Sequence, residues 1–223
     1  MMKILDWILD LIYPPKCVLC ERILEKDQLD LCHECRVNGP EHPMPKTKRP
    51  FLESWTALWY YEDKVRDSVL RYKFQGARHY CITYGRLLAM KIQRDMEDRY
   101  DVLTWVPVSK RRKRRRGYDQ VELLALAVGR ELDVTPVRLL KKVRHTRPQS
   151  GISDDAARRA NVLGAYRVTD PAAVRGKRIL LLDDVITTGA TAGECARILL
   201  SAGAKSVNCA AVARRHEITK TKR

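Results

Sequence analysis

The stretch of sequence that decides the fold is Ile179-Leu180-Leu181-Leu182-Asp183-Asp184-Val185-Ile186-Thr187-Thr188-Gly189-Ala190-Thr191. It opens with a continuous aliphatic run, which is typical of a strand that is buried on both faces of a parallel sheet. The residues that follow, 191–202, have helical spacing and are closed by Gly203. The stretch therefore predicts a strand, a polar turn and a helix, with two adjacent carboxylates at the point where the strand ends.

The turn between this strand and this helix has the composition of an anion site. Its residues are Thr187, Thr188, Gly189, Ala190 and Thr191. Backbone N–H groups at the start of a helix have no internal partners and the helix dipole is positive there, so such a turn suits a phosphate group. Asp183 and Asp184 beside it suit the hydroxyls of a sugar or a hydrated Mg²⁺ ion. Together these residues predict a site for a ribose 5-phosphate at the carboxyl edge of an α/β sheet.

The same stretch resembles the signature of type I phosphoribosyltransferases that binds phosphoribosyl pyrophosphate (PRPP). The competing interpretation is a capped turn in which the acids only serve packing; we disfavour it because buried strands seldom end in two unpartnered carboxylates. Neither a G-x-x-x-x-G-K-[ST] nor a G-x-G-x-x-G motif occurs in the chain. The common nucleotide-binding loops are therefore excluded.

Segments on either side of the signature alternate between strand and helix patterns. The strand patterns fall at 54–61, 102–108, 137–143 and 206–213, and the helix patterns at 65–74, 84–96 and 119–132. The last of these helices begins with Asp119 and Glu122, the spacing of a capping pair. Alternation of this kind predicts an α/β fold with a mostly parallel sheet, as in type I phosphoribosyltransferases.

Four cysteines near the amino terminus have metal-binding spacing: Cys17-x-x-Cys20 and Cys32-x-x-Cys35. Two such knuckles complete a tetrahedral set of four thiolates, which predicts a structural zinc ion in a small ribbon-like module. An iron–sulfur centre and unmetallated thiols are the alternatives, and His33 offers a substitute for one thiolate. The three other cysteines are predicted to be buried apolar side chains: Cys81, Cys195 and Cys209.

A run of seven cations, Lys110-Arg111-Arg112-Lys113-Arg114-Arg115-Arg116, follows the strand pattern at 102–108 and is predicted to be a loop beside the acids. The net charge of +16 favours anionic partners. The run either binds a departing pyrophosphate, or follows a nucleic-acid backbone, or is a solvated loop. We expect the first two together, because seven cations exceed the need of one pyrophosphate. The candidate ligand-binding residues are Lys110, Arg111, Arg112, Arg114 and Arg116.

Composition divides the 223 residues into five parts. These are an amphipathic helix at 1–13, the cysteine module at 14–38, a Pro-rich linker at 39–50, the α/β domain at 51–213 and a basic tail at 214–223. No stretch approaches the ~20 apolar residues of a membrane span, and the amino-terminal segment does not resemble a signal peptide. We therefore expect a cytoplasmic protein without stable membrane insertion. Residues 144–152 have no periodicity and predict a lid loop over the sugar phosphate.

Taken in order, the motifs resemble those of the bacterial ComF family, which includes ComFC and GntX proteins. Besides the cysteine module and the signature, they are Tyr61…Leu70-x-x-Lys73-Phe74-x-Gly76, Val106-Pro107-Val108, Arg116-Gly117-Tyr118-Asp119-Gln120, Arg147-Pro148-Gln149 and Arg159-x-Asn161-Val162. The resemblance implies a zinc-finger-like amino terminus, a phosphoribosyltransferase-like domain and a role in natural competence, the uptake of DNA for transformation. The sequence departs from the family at Asp119, where Asn is usual, and in the basic run, which has more cations than is typical.

By that resemblance, Asp183 and Asp184 would contact ribose hydroxyls and favour a cation-like transition state, while the turn holds the 5-phosphate. Mg²⁺ and the basic run would stabilise the departing pyrophosphate. The acceptor is not identified by the sequence. The alternative is a non-catalytic nucleic-acid-binding or adaptor protein that uses the basic loop and the zinc module, with single-stranded DNA and other competence proteins as partners. Residues 51–80 would form the segment that covers an acceptor. Its aromatic residues are expected to pack in the core, and the alternative is that they stack on the acceptor: Trp55, Trp59 and Tyr60.

Overall fold

The computed structural model describes residues 14–39, 48–146 and 155–216. Its strands are β1 Ser54–Tyr60, β2 Val102–Trp105, β3 Leu140–Lys142, β4 Tyr166–Val168, β5 Arg178–Ile186 and β6 Ser206–Arg214. Its helices are α1 His33–Val37, α2 Asp63–Phe74, α3 Tyr80–Met96, α4 Lys110–Arg116, α5 Gln120–Glu131, α6 Asp155–Val162 and α7 Ala190–Ser201. The amino-terminal helix predicted at 1–13, most of the linker, most of the lid loop and most of the basic tail lie outside the described residues.

The central sheet consists of four parallel strands in the order β1-β6-β5-β2. This confirms the predicted fold class, and β5 and β6 are neighbours joined through α7 as a βαβ unit requires. The strand predicted at 137–143 shortens to β3 and pairs with β4 in a separate antiparallel sheet. A strand inside a parallel sheet buries both of its faces, which the charged side chains of Lys141 and Lys142 do not permit.

The sheet has a hydrophobic core on each face. On one face Leu180 and Leu182 of β5 pack in a cluster with residues of α2, α3 and α5. On the other face Ile179 and Leu181 belong to a second cluster with α7 and the β3–β4 pair. Cys195 and Cys209 are fully buried in that second cluster, as predicted, whereas Cys81 is only half-buried. The described residues therefore form three layers around the strand that carries the two acids.

The cysteine module packs directly on the α/β domain. Its residues Val18 and Leu19 belong to the same core cluster as Tyr84 and the rest of the α2, α3 and α5 layer. A guanidinium nitrogen of Arg71 on α2 donates to the Leu19 carbonyl at 2.7 Å. On the same helix the Ser68 hydroxyl bonds the Val18 carbonyl. The hydrophobic core is thus continuous between the module and the domain.

The basic run is a helix, so the prediction of a loop at 110–116 is wrong. The hydroxyl of Ser109 accepts the N–H of Arg112 at 3.3 Å and caps the start of α4. Gly117, with a φ of 78°, ends the helix in the left-handed region. Lysine and arginine are good helix formers, so two flanking caps suffice to order seven consecutive cations. No helix in the described ranges is long and apolar enough to cross a bilayer.

Candidate functional site

The two acids lie inside β5 rather than after it. β5 continues along β6 as far as Ile186, with Asp183 opposite Ala211. On the other side β2 ends at Trp105, which lies opposite Leu182. The acids therefore lie at the carboxyl end of the strand, as predicted, and two more residues of β5 follow them. Among the described residues no strand pairs with β5 on the β2 side from Asp183 onward, so this edge is open at the carboxyl end of the sheet, where α/β proteins bind ligands.

Asp183 and Asp184 point to opposite faces of the sheet, because neighbouring side chains on a strand alternate. Each residue is only 8% exposed, and both line the same cleft. Asp184 shares its face with α2 and α5, whereas Asp183 shares its face with α7 and the β3–β4 pair. A ligand at the open edge of β5 would therefore meet one carboxylate from each side.

Asp184 is held by two partners from distant elements. Lys73 Nζ, at the end of α2, lies 2.8 Å from one carboxylate oxygen, and Gln120 Nε2, at the start of α5, donates to the other at 2.8 Å. Burial opposes ionisation, but the Lys73 charge and these hydrogen bonds outweigh it and hold the pKa of Asp184 below its usual range. The Gln120 Oε1 atom is buried without a hydrogen-bond partner in the described part of the chain. It is therefore free to accept a hydroxyl of a ligand.

Asp183 lies in a less favourable environment. Burial, and then the neighbouring charge of Asp184, raise its pKa. Lys142 on β3 lines the same cleft, and burial together with the charge of Arg112 lowers its pKa to about 8. An acid and a base whose charged forms are both disfavoured are typical of a ligand site, since a bound ligand can supply the missing counter-charges.

The predicted phosphate turn lies beside the acids at the start of α7. Gly189 has a φ of 78° and occupies the N-cap position, so a residue with a side chain would be strained there. Of the five turn residues, three line the cleft: Thr187, Gly189 and Thr191. Thr188 instead turns its hydroxyl to the N–H of Ala190, at 3.4 Å. The backbone at Gly189 and the side chains of two threonines are therefore the parts of the turn that line the cleft.

Helix α4 divides the basic run between two surfaces. Arg112, Arg115 and Arg116, spaced for one helical face, line the cleft. The Arg116 guanidinium lies 4.6 Å from the ring centre of Phe74, and its buried Nε has no hydrogen-bond partner among the described residues. The other three candidates are exposed and do not line the cleft: Lys110, Arg111 and Arg114. The pyrophosphate and nucleic-acid interpretations thus fall on different faces of one helix.

The cleft has a volume of about 370 Å³ and spans the carboxyl ends of all four parallel strands. Among the residues that the structure describes, the lining contains seven basic side chains and two acids, Asp183 and Asp184. The β2 side carries the arginines of α4 and Lys142. The β1 and β6 side carries Tyr61, Arg66, Leu70 and Arg215. Such a lining favours a ligand with several negative charges.

Sequence patterns alone do not single out the groups that hold the acids. Only the motifs of the family resemblance contain Lys73 and Gln120. Both residues lie far from β5 along the chain. Asp119, the departure from the family, caps α5 as predicted: its two carboxylate oxygens accept three N–H groups, from Val108, Val121 and Glu122. An asparagine has only one acceptor oxygen and could not accept all three N–H groups equally well. The carboxylate of Asp119 therefore fixes both ends of the turn beside the cleft.

The four predicted metal ligands converge at one point. The sulfur atoms of Cys17, Cys20, Cys32 and Cys35 all lie within 4.8 Å of one another, and the Cys20 and Cys32 sulfurs are 3.7 Å apart. Tetrahedral zinc with bonds of about 2.3 Å requires sulfur separations of about 3.8 Å. The set therefore fits a zinc ion whose four positions are filled by protein, as in a structural site.

Comparisons with known families agree with both halves of the chain. The family model described as a double zinc ribbon domain matches residues 8–44. The model described as a phosphoribosyl transferase domain matches residues 122–223, which include the acids and the phosphate turn. The first match supports structural zinc at the cysteine cluster.

Three relatives cover most of the chain. Competence protein F of Haemophilus influenzae is 29% identical over 75% of this chain and 75% of its own length. DNA utilization protein YhgH of Escherichia coli is 27% identical over 86% of both chains. Competence protein ComFC of Streptococcus pneumoniae is 32% identical over 69% of this chain and 65% of its own length. With the zinc ribbon and the phosphoribosyltransferase-type domain, these similarities identify the chain as a member of the ComF family.

Proposed function

We propose that the cleft binds PRPP with Mg²⁺ and transfers its phosphoribosyl group to a nitrogen nucleophile. Asp183 and Asp184 would hold the ribose hydroxyls, the turn from Thr187 to Thr191 the 5-phosphate, and the inner face of α4 the pyrophosphate. The observation that carries the proposal is the pair of buried carboxylates on opposite faces of the open edge of β5, directly beside a helix start.

The chemistry follows from the charges of these groups. Carboxylates next to the ribose accept its hydroxyls and favour the positive charge that develops at C1 when the bond to pyrophosphate breaks. Carboxylate and phosphate oxygens are the ligands that Mg²⁺ prefers, so Asp183 and the phosphates of the ligand would hold the ion, which would neutralise charge on pyrophosphate. Arg112 and Arg116 would bind the pyrophosphate as it leaves. Lys142, whose pKa is lowered to about 8, would be held in its charged form by the bound anion.

Topology suggests the side from which the acceptor arrives. In an in-line displacement the nucleophile approaches C1 opposite the leaving group. The cations that would hold pyrophosphate follow β2, on one side of β5. The acceptor would then enter from the β6 and β1 side, where Tyr61, Arg66 and Leu70 line the cleft.

A second function, contact with a nucleic-acid backbone, is favoured by the outer face of α4. Lys110, Arg111 and Arg114 are exposed and lie outside the cleft, so a ligand bound in the cleft does not occupy them. Two relatives are named competence proteins, and another is named for DNA utilization. We propose that the chain acts in natural competence in the cytoplasm, with single-stranded DNA bound on this face and other competence proteins as partners.

Titration with PRPP and Mg²⁺ tests the first function, and α4 supplies matched variants. Arg116→Gln is expected to weaken PRPP binding by about 10-fold or more, since a charge-assisted contact contributes roughly 1.5–3 kcal/mol. Arg114 lies two residues earlier on the outer face, and Arg114→Gln is expected to leave the affinity for PRPP within about twofold of wild type. Isothermal titration calorimetry measures both. Wild-type protein that does not bind PRPP at millimolar concentration would refute the proposal.

The same two variants test nucleic-acid binding with the opposite outcome. Arg114→Gln is expected to weaken binding of single-stranded DNA and to reduce the salt dependence by about 0.7 in log–log slope, the value for one lost phosphate contact. Fluorescence anisotropy of a labelled oligonucleotide at two or more salt concentrations gives this slope. Equal losses for Arg114→Gln and Arg116→Gln would instead place the DNA in the cleft and contradict the division of the helix.

A further inference from the structure

Arg49 and Pro50, which precede β1, lie against the phosphate turn. A guanidinium nitrogen of Arg49 donates to the Thr188 carbonyl at 2.7 Å. Arg49 Cδ lies 3.4 Å from the position that a Cβ on Gly189 would occupy. The carbonyl oxygen of Pro50 lies 3.4 Å from the corresponding position at Gly193, in the first turn of α7. Two glycines thus allow this segment to contact the backbone of the turn directly.

Arg49 is itself held in place by the core. Its guanidinium lies 5.2 Å from the ring centre of Trp55, which is 2% exposed at the start of β1. The Arg214 guanidinium, at the end of β6, lies 4.7 Å from the same ring. The backbone of Arg49 accepts the N–H of Leu52 at 3.2 Å. The indole fixes the guanidinium by cation–π contact, so the donor to Thr188 comes from a rigid support.

The contact controls the direction of a backbone N–H group. A trans peptide unit is planar, and its C=O and N–H point in opposite directions. The bond from Arg49 to the Thr188 carbonyl therefore orients the N–H of Gly189, which lines the cleft, away from Arg49. Gly189 adopts a φ of 78° and has wide freedom without such a restraint.

We propose that Arg49 is a positioning residue of the phosphate turn, which orients the Thr188–Gly189 peptide so that its N–H faces the 5-phosphate. Arg49 does not itself line the cleft, so it acts through the turn. The inference rests on the proposed function, because it assigns the ligand of that turn. It separates the determinants of the two ends of PRPP: Arg49 serves the ribose 5-phosphate end, whereas α4 serves the pyrophosphate end.

Arg49→Met keeps an apolar chain of similar length against Trp55 and removes the donor. We expect it to weaken ribose 5-phosphate binding by about 10-fold, because a flexible turn must be ordered by the ligand. Binding of inorganic pyrophosphate is expected to stay within about twofold, because α4 is untouched. Arg49→Lys, which retains a donor without the planar stacking group, is expected to fall between the two. Calorimetric titration of each variant with each ligand measures this split.

Lys48→Met is the matched control, since it removes one cation from the adjacent exposed position. If both variants weaken ribose 5-phosphate binding equally, the effect is general charge and the inference fails. It also fails if Arg49→Met binds ribose 5-phosphate as wild type does, or loses pyrophosphate equally. Wild-type protein that binds neither ligand would instead overturn the proposed function. The pyrophosphate titration also shows that each variant is folded.

Discussion

Asp183→Asn is expected to stabilise the protein and to abolish its binding of ribose 5-phosphate. In the unliganded cleft, burial and the charge of Asp184 both disfavour ionised Asp183 and raise its pKa. An amide of the same shape removes that unfavourable charge, and its oxygen can still accept the Asp184 N–H, which the carboxylate accepts at 2.8 Å. A carboxylate that costs stability and lies in a ligand cleft is the signature of a functional group rather than of a packing residue.

The size and the pH dependence of this gain follow from linkage. Each unit by which the pKa is raised costs about 1.4 kcal/mol of stability, and the pKa of Asp183 is raised to about 8, so we expect a gain of at least about 2 kcal/mol at neutral pH. In a protein of this size that is an increase in melting temperature of at least about 4 °C. A raised folded-state pKa destabilises only above the unfolded value near 4. The advantage of Asp183→Asn should therefore be small near pH 5 and increase toward pH 8.

Asp101→Asn is the control with the opposite sign. Asp101 is an exposed partner of Arg178, whose hydrogen bonds lower its pKa to about 2. Its charge favours the folded state above the unfolded pKa, so the amide should cost stability slightly and leave ligand binding unchanged. Thermal unfolding of both variants from pH 5 to 8, with ribose 5-phosphate titrations at pH 7.5, tests the contrast. Reduced stability of Asp183→Asn together with wild-type affinity would mean that Asp183 is a structural residue.

The sequence predicted those parts of the site that depend on neighbouring residues. The aliphatic run before Asp183 predicts a buried parallel strand, and the glycine and threonines after it predict an anion-binding helix start; both are local patterns. The spacing of the cysteine pairs is likewise local, and it predicts the thiol cluster at 17–35 correctly. The length of the strand beyond the acids is not a local property, because its continuation to Ile186 depends on pairing with β6, a partner more than twenty residues away along the chain.

Groups that reach the site across the fold could not be predicted from such patterns. Arg49 contacts a residue 139 positions away, and Gln120 contacts one 64 positions away. A single cation or amide on an amphipathic helix is ordinarily a solvated residue, so nothing in the periodicity of α2 marks Lys73. Helix α4 is different, because Ser109 and Gly117 are local capping signals that flank the run. Seven consecutive cations suggest a solvated loop, but the capping residues at both ends of the run indicate a helix.

Removal of zinc is expected to destabilise the α/β domain together with the cysteine module. The module has too few residues for a core of its own and shares one with α2, α3 and α5. Helix α2 connects the two sites: Ser68 and Arg71 bind module carbonyls, and Lys73 binds Asp184. Loss of the metal should therefore expose one face of α2 and displace the cation that holds the acid pair.

The size of the effect follows from the energy of a structural zinc site. Zinc binding contributes roughly 10–16 kcal/mol to the folding of small zinc modules, so chelation should lower the melting temperature by more than about 10 °C. Unfolding should remain a single transition, because the module shares one hydrophobic cluster with α2, α3 and α5. Calorimetry with and without a zinc chelator, followed by ribose 5-phosphate titration of the metal-free protein, measures both consequences.

Two cysteine variants separate the metal from the thiol. Cys20→Ser removes one zinc ligand and should reproduce the effect of chelation, whereas Cys81→Ser changes a half-buried thiol outside the cluster and should cost less than about 1 kcal/mol. Two separate unfolding transitions would contradict a shared core. The contradiction would be strongest if the α/β domain kept its melting temperature without zinc and still bound ribose 5-phosphate. The zinc module would then be an independent unit, and the contacts of Ser68 and Arg71 would have no influence on the acid pair. Because Lys73 lies less than one helical turn from Arg71, we expect the single transition.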